Sequence, residues 1–333
     1  MIYNLIINSS NNVGVYNSVF KYDFIGGNFQ INPNSEMCIA SLQIPYAWFN
    51  LNTVVYNNTS LSYKFYYGSG SSNTYNISFL DGFYTLNDIN NYIQQYMISQ
   101  NQYFVNTNTG LNLYYIQIVT NTTYYANQWV LSPGPTAIPA GYSVPTNVIG
   151  GITYTGFNCN PSTKPGGGTQ NFFCNTGFTY TPQIVIAYYT GTKSIGSIIG
   201  FLAGTYPSTL QTSSYNILSN TLPNATNVNS LVIRADLVSN AVSMPTDVLD
   251  CVNINVPFGS SILYTPSYEK WVSIQSGSFT NFSLYIQDQN FNQIQTNDYN
   301  ITISILLKQG PTPFIKTLAK IKFHKEEDTQ EEL

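Results

Sequence analysis

The stretch that decides the fold runs from Asn227 to Gln309. It reads NVNSLVIRADLVSN (227–240), NINVPFGSSILY (253–264), FTNFSLYIQDQNFNQI (279–294) and DYNITISILLKQ (298–309). Each piece is short, rich in β-branched and aromatic residues, and punctuated by Asn, Pro, Gly or Asp, as strands and their turns are. Leu284 and Ile286 alternate with Tyr285 and Gln287, and Ile301, Ile303 and Ile305 alternate with Thr302, Ser304 and Leu306. A period of two puts one face of each strand in a core and the other outside. A chain ending in several such strands closes a sandwich or a barrel.

Working outward, residues 1–67 also read as strands. IYNLII opens, VGVYNSVFKYDF alternates, and EMCIASLQI is a continuous apolar strand ended by Pro45. One helix is expected near 85–99, in FLDGFYTLNDINNYIQQYMISQNQ (79–102). Thr85 is its N-cap, with Asp88 at capping-box spacing, and Leu86, Ile89, Ile93 and Met97 fall on one face. Strand runs on either side of Asn108-Thr109-Gly110 signal a hairpin. In KSIGSIIGFLAGTYP (193–207) the spacing of Gly196, Gly200 and Gly204 reads as a short helical turn packed on a sheet.

The expected class is therefore all-β with one prominent helix, a β-sandwich scaffold over 1–131 and 183–309. The Pro/Gly-rich stretch 132–182 has no lasting period and is expected to be an insertion, with a second small β subdomain as a further option. Residues 310–333 hold a basic and then acidic tail, in which FIKTLAKIKF could form a basic amphipathic segment or an added strand for a neighbour. Lys316, Lys320, Lys322 and Lys325 are the candidate partner contacts there.

Composition excludes several functions. Only 8% of the 333 residues are charged, against about 25% in ordinary domains. Net charge is −4, with one arginine, Arg234. Without a basic stripe to release counterions, the folded domain is not expected to bind nucleic acid. No run approaches the length of a membrane-spanning helix, and MIYNLIINSSNN has no secretory character.

The only histidine is His324, in the tail, so histidine-dependent nucleophile systems and histidine metal sites are not expected. Asp247 and Asp250 are the closest carboxylates in the body of the chain, and Asp288 sits at a turn, where acids more often cap backbone than react. No catalytic, cofactor-binding or metal residues are proposed from sequence, and no cofactor is expected. Cys38 and Cys251 lie in apolar runs and read as small core residues. Cys159 and Cys174 flank NPSTKPGGGTQNFF and form a possible disulfide in an oxidising medium.

Several segments, in this order, resemble the penton (minor capsid) proteins of virophages and Polinton-like viruses. They are FLDGFYTLNDINNYIQQYM (79–97), TNTGLNLYYIQI (107–118), SIGSIIGFLAGTYP (194–207), VNSLVIRADLVS (228–239), VPFGSSILY (256–264) and FSLYIQDQNFNQI (282–294). The resemblance implies a jelly roll that forms a homo-oligomer, a pentamer, at the fivefold vertices of an icosahedral capsid. It also implies major capsid protein neighbours and a virion location after synthesis in host cytoplasm. The competing class is a viral fibre head or lectin-like module, whose exposed Tyr and Trp would bind host glycans.

Overall fold

The computed structural model describes residues 1–67, 70–149, 152–157, 180–187 and 194–311. The chain is all-β with one long helix, and it divides into two compact units: Met1–Trp48 with Val228–Leu333, and Phe49–Asn227.

The first unit has eight principal strands. They are β1 (Ile2–Asn8), β2 (Val19–Asp23), β3 (Glu36–Pro45), β4 (Ser230–Ala235), β5 (Val248–Asn253), β6 (Ser261–Tyr264), β7 (Asn281–Asp288) and β8 (Thr302–Lys308). All their pairings are antiparallel. One sheet has the order β1-β8-β3-β6 and the other β5-β4-β7-β2. Every connection except β4–β5 passes from one sheet to the other, which is the eight-stranded jelly roll. The alternation in sequence becomes alternation in burial. Phe282, Leu284 and Ile286 of β7 are buried, as are Ile303, Ile305 and Leu307 of β8, while the residues between them are partly or fully exposed.

Two inward positions carry carboxylates, Asp250 on β5 and Asp288 at the end of β7. The register between β4 and β5 shifts at Ile233/Arg234, so both Leu249 and Asp250 are buried. Cys251, expected in the core, is exposed. The strand's alternation turns it outward between buried Asp250 and Val252, so an apolar run did not make it a core position. Cys38 is buried as expected, and burial pushes its thiol up to about 11.

The second unit inserts between β3 and β4 and has its own core. Its strands Gly204–Tyr206, Gln183–Ile186, Ser60–Tyr66 and Ser72–Ser78 form one sheet in that order. Tyr215–Leu218, Ala126–Leu131 and Ile116–Asn121 form a second, and Tyr142–Ser143, Tyr103–Asn106 and Asn112–Tyr114 a third. Helix α1 (Leu86–Ser99) begins with the reciprocal Thr85–Asp88 capping box and buries Ile89, Ile93 and Met97. Gly196–Ile199 is the expected helical turn, ended by Gly200 at φ 82. The core includes Trp129, Tyr63, Phe65, Phe104 and Phe157.

This division differs from the boundaries read in the sequence, which kept α1 in the sandwich scaffold and set the insertion at 132–182. The jelly roll strands leave off at Pro45 and resume at Ser230, and the apolar side chains of Phe49–Asn227 form a core of their own. Nor is the Pro/Gly-rich stretch without period throughout: Thr146–Ile149 pairs with Ile152–Thr155.

Candidate functional site

In the jelly roll, three connections come together at one end. Gln275 and Ser239 backbone N–H groups donate to Leu237 and Ser273 carbonyls at 2.8 and 2.9 Å, tying the β4–β5 connection to the β6–β7 connection. Phe24 N donates to Thr280 O at 2.9 Å, and Gln309 Nε2 to Gln30 O at 2.7 Å, bringing in the β2–β3 connection. Met1 O accepts from Gln309 N at 2.9 Å, so the N-terminus and the last described residues lie at the same end.

These tied loops hold aliphatic side chains out in solvent. Ile25 is 97% exposed, Val242 97% and Met244 95%. Their backbones are fixed. Gly26 and Gly27, at φ 94 and 85, follow Ile25 in a turn closed by Gly27 N donating to Phe24 O at 3.1 Å. Asn240 Oδ1 accepts from Val242 N at 3.2 Å, and Asn240 N donates to Thr246 O at 2.7 Å. The edge strands of the first sheet add Ile2 and Ile6 on β1 and Leu263 on β6, all exposed. Ordered loops and open edges tipped with aliphatics suit burial against another protein surface.

The charged side chains do structural work. Arg234 donates from Nε and Nη2 to Asp247 Oδ1 and Oδ2 at 2.8 and 2.7 Å, and from Nη1 to Gln287 Oε1 at 2.8 Å. Asp250 accepts from Lys270 Nζ at 2.9 Å and from Tyr264 Oη at 2.7 Å, joining β5 of one sheet to β6 of the other. The Tyr264 hydroxyl, then the Asp250 carboxylate, hold the Lys270 ammonium above the ordinary lysine value. Lys308 pairs with Glu36 at 2.8 Å and lies 5.3 Å from the Trp271 ring centroid. Asp288 accepts from Asn290 N and Asn292 N, both at 2.8 Å, and so caps the turn after β7. Asp247, Asp250 and Asp288 thus go to three different sets of partners and do not converge.

The other residues singled out in the sequence, Cys159, Cys174, Lys316, Lys320, Lys322 and Lys325, lie outside the described residues. The exposed loop aliphatics carried no motif. Their one sequence signal is the Ile25-Gly26-Gly27 turn, which places a β-branched side chain at a loop tip.

No family model matches the chain, and no curated protein matches it. Among solved structures, the mavirus penton protein is similar over 93% of this chain and 99% of its own, with a TM-score of 0.42 and 10% identity. A chain in the cryo-EM structure of the Sputnik virophage is similar over 96% and 98%, with a TM-score of 0.36 and 11% identity. The first is a penton protein and the second comes from a virophage, the two terms of the resemblance read in the sequence motifs.

Proposed function

We propose that this chain is a structural subunit of a viral capsid, a penton subunit assembling as a pentamer at the fivefold vertices. The observation that carries this reading is the jelly roll whose hydrogen-bonded end loops hold Ile25, Val242 and Met244 in solvent. An isolated subunit gains nothing from rigid exposed aliphatics, whereas copies and neighbours that cover them gain the apolar burial. The jelly roll itself is an architecture used by capsid and lectin domains.

Charge supports the same reading. Among the described residues, Lys21, Arg234, Lys270 and Lys308 are each ion-paired with a carboxylate, which leaves little for phosphate neutralisation. Carboxylates engaged in ion pairs and turn caps favour a subunit that is not an enzyme and needs no cofactor. Major capsid protein neighbours, a virion location and host-cytoplasmic synthesis complete the proposal. The test is cryo-EM of the assembled particle. The proposal expects vertex density that the eight-stranded sandwich fits, and vertices filled by another chain would refute it.

A further inference from the structure

A second surface lies in the inserted unit. The hairpin of Ile116–Asn121 and Ala126–Leu131 borders a cavity of about 370 Å³ lined by Thr120, Thr122, Tyr125, Ala126, Asn127 and Pro223. That volume is within the range of small-ligand sites, roughly 300–1,000 Å³.

Folding does not account for Tyr125. Its backbone is left-handed, at φ 49, a region that bulky residues avoid and asparagine tolerates. Its side chain is nonetheless 81% exposed, and none of the ring contacts or hydrogen bonds among the described residues uses it. Phe291 has a similar φ of 64, but the Arg234 guanidinium lies 5.7 Å from its ring centroid.

Beside it, Asn127 is only 6% exposed. Its Nδ2 donates to Ile199 O at 3.1 Å, which fixes the amide and leaves Oδ1 with no partner among the described residues. Thr120 is its cross-strand partner. The hydroxyls of Thr120 and Thr122 likewise take part in no hydrogen bond among the described residues. The lining therefore offers an exposed aromatic face, an acceptor fixed by its own amide hydrogen bond and two hydroxyls, with no charged group.

We propose that this cavity binds a neutral sugar residue of a glycan. A pyranose has an apolar C–H face to lie on the Tyr125 ring and hydroxyls to donate to Asn127 Oδ1 and exchange bonds with the threonines. A purely apolar ligand would cover the Asn127 oxygen without donating to it, and an anionic one would find no counter-charge.

The test is saturation-transfer NMR of the full chain with lactose and N-acetyllactosamine, and with 3′-sialyllactose as the charged comparison. Tyr125→Asn removes the ring while relaxing the backbone, so the fold survives. Neutral sugars bind the unaltered chain, Tyr125→Asn weakens them roughly tenfold or more while leaving Tm equal or higher, and Gln43→Ala in the jelly roll changes nothing. The proposal is overturned if no neutral sugar binds, if binding survives Tyr125→Asn, or if that substitution lowers Tm. It is equally overturned if Tyr125→Asn only dissolves an oligomer, since the cavity would then be a subunit contact.

Discussion

The chain's single arginine, Arg234, grips Asp247 with two parallel hydrogen bonds of 2.8 and 2.7 Å across the outward face of β4. Both side chains are mostly buried, at 22% and 24% exposure, and Phe291 lies against the guanidinium. Bidentate, charge-assisted pairs are the strong ones, and removing one partner strands the other. Arg234→Ala is expected to destabilise the protein by about 1–3 kcal/mol, read as a shift in denaturation midpoint. Arg234→Lys restores only part of it, because an ammonium cannot present the fork. An unchanged midpoint in both would mean that the pair is incidental.

Buried phenols give the fold an alkaline limit. Burial is the main cause holding Tyr63, Tyr75 and Tyr115 above the ordinary tyrosine value, which is about 10. A group raised in the folded state contributes stability in full below its unfolded value and loses it as pH climbs through the folded value. Urea midpoints are therefore expected to fall above pH ~10, with phenolate absorbance from these rings appearing together with unfolding. Tyr63 Oη also donates to Gln102 Oε1 at 2.5 Å, so Tyr63→Phe costs about 1–2 kcal/mol at neutral pH. Phenolate absorbance rising fully ahead of unfolding would show that these rings are accessible.

Phe157 tests whether the Pro/Gly-rich stretch is detachable. It is fully buried, stacks on Phe104 at 4.9 Å between ring centroids, and meets Tyr115 at 5.4 Å and Phe65 at 5.7 Å. Phe157→Ala is expected to cost about 3–5 kcal/mol, as other large core truncations do. A loss near zero in a denaturant titration would mean that the ring contributes nothing to the core.

How much of this was legible follows from where period and composition agree. The terminal strands, α1 with its Thr85–Asp88 cap, and the Gly110 hairpin were readable because local pattern and tertiary burial coincide in them. Cys251 was misread because its neighbours in VLDCV are apolar but for Asp250, while the alternation set by Asp250 and Val252 turns the thiol outward. Asp250 itself can face inward only because Lys270 and Tyr264 reach it, and that pairing spans two sheets. The hairpin within 146–155 had a signal, Gly150-Gly151 between two β-branched runs, masked by the surrounding Pro and Gly. The limits of the inserted unit had none: strands on both sides of Trp48 and of Asn227 share one composition, and only contacts separate them. Tyr125 was one of 28 tyrosines until its φ and exposure set it apart.

The aliphatics at the end of the jelly roll bear on assembly directly. Val242→Asp and Met244→Asp, on fully exposed side chains, are expected to leave the denaturation midpoint within about 0.5 kcal/mol of the unaltered chain. They are also expected to weaken subunit association, because a charge must then be desolvated in the contact. Association unaffected by both would move the interface elsewhere on the surface.

The most direct measurement is mass photometry of the purified chain over a range of concentrations. The account expects a species at five times the chain's mass of 37.1 kDa, depleted by Val242→Asp and Met244→Asp. A strict monomer at every concentration, unaltered by either substitution, would contradict it.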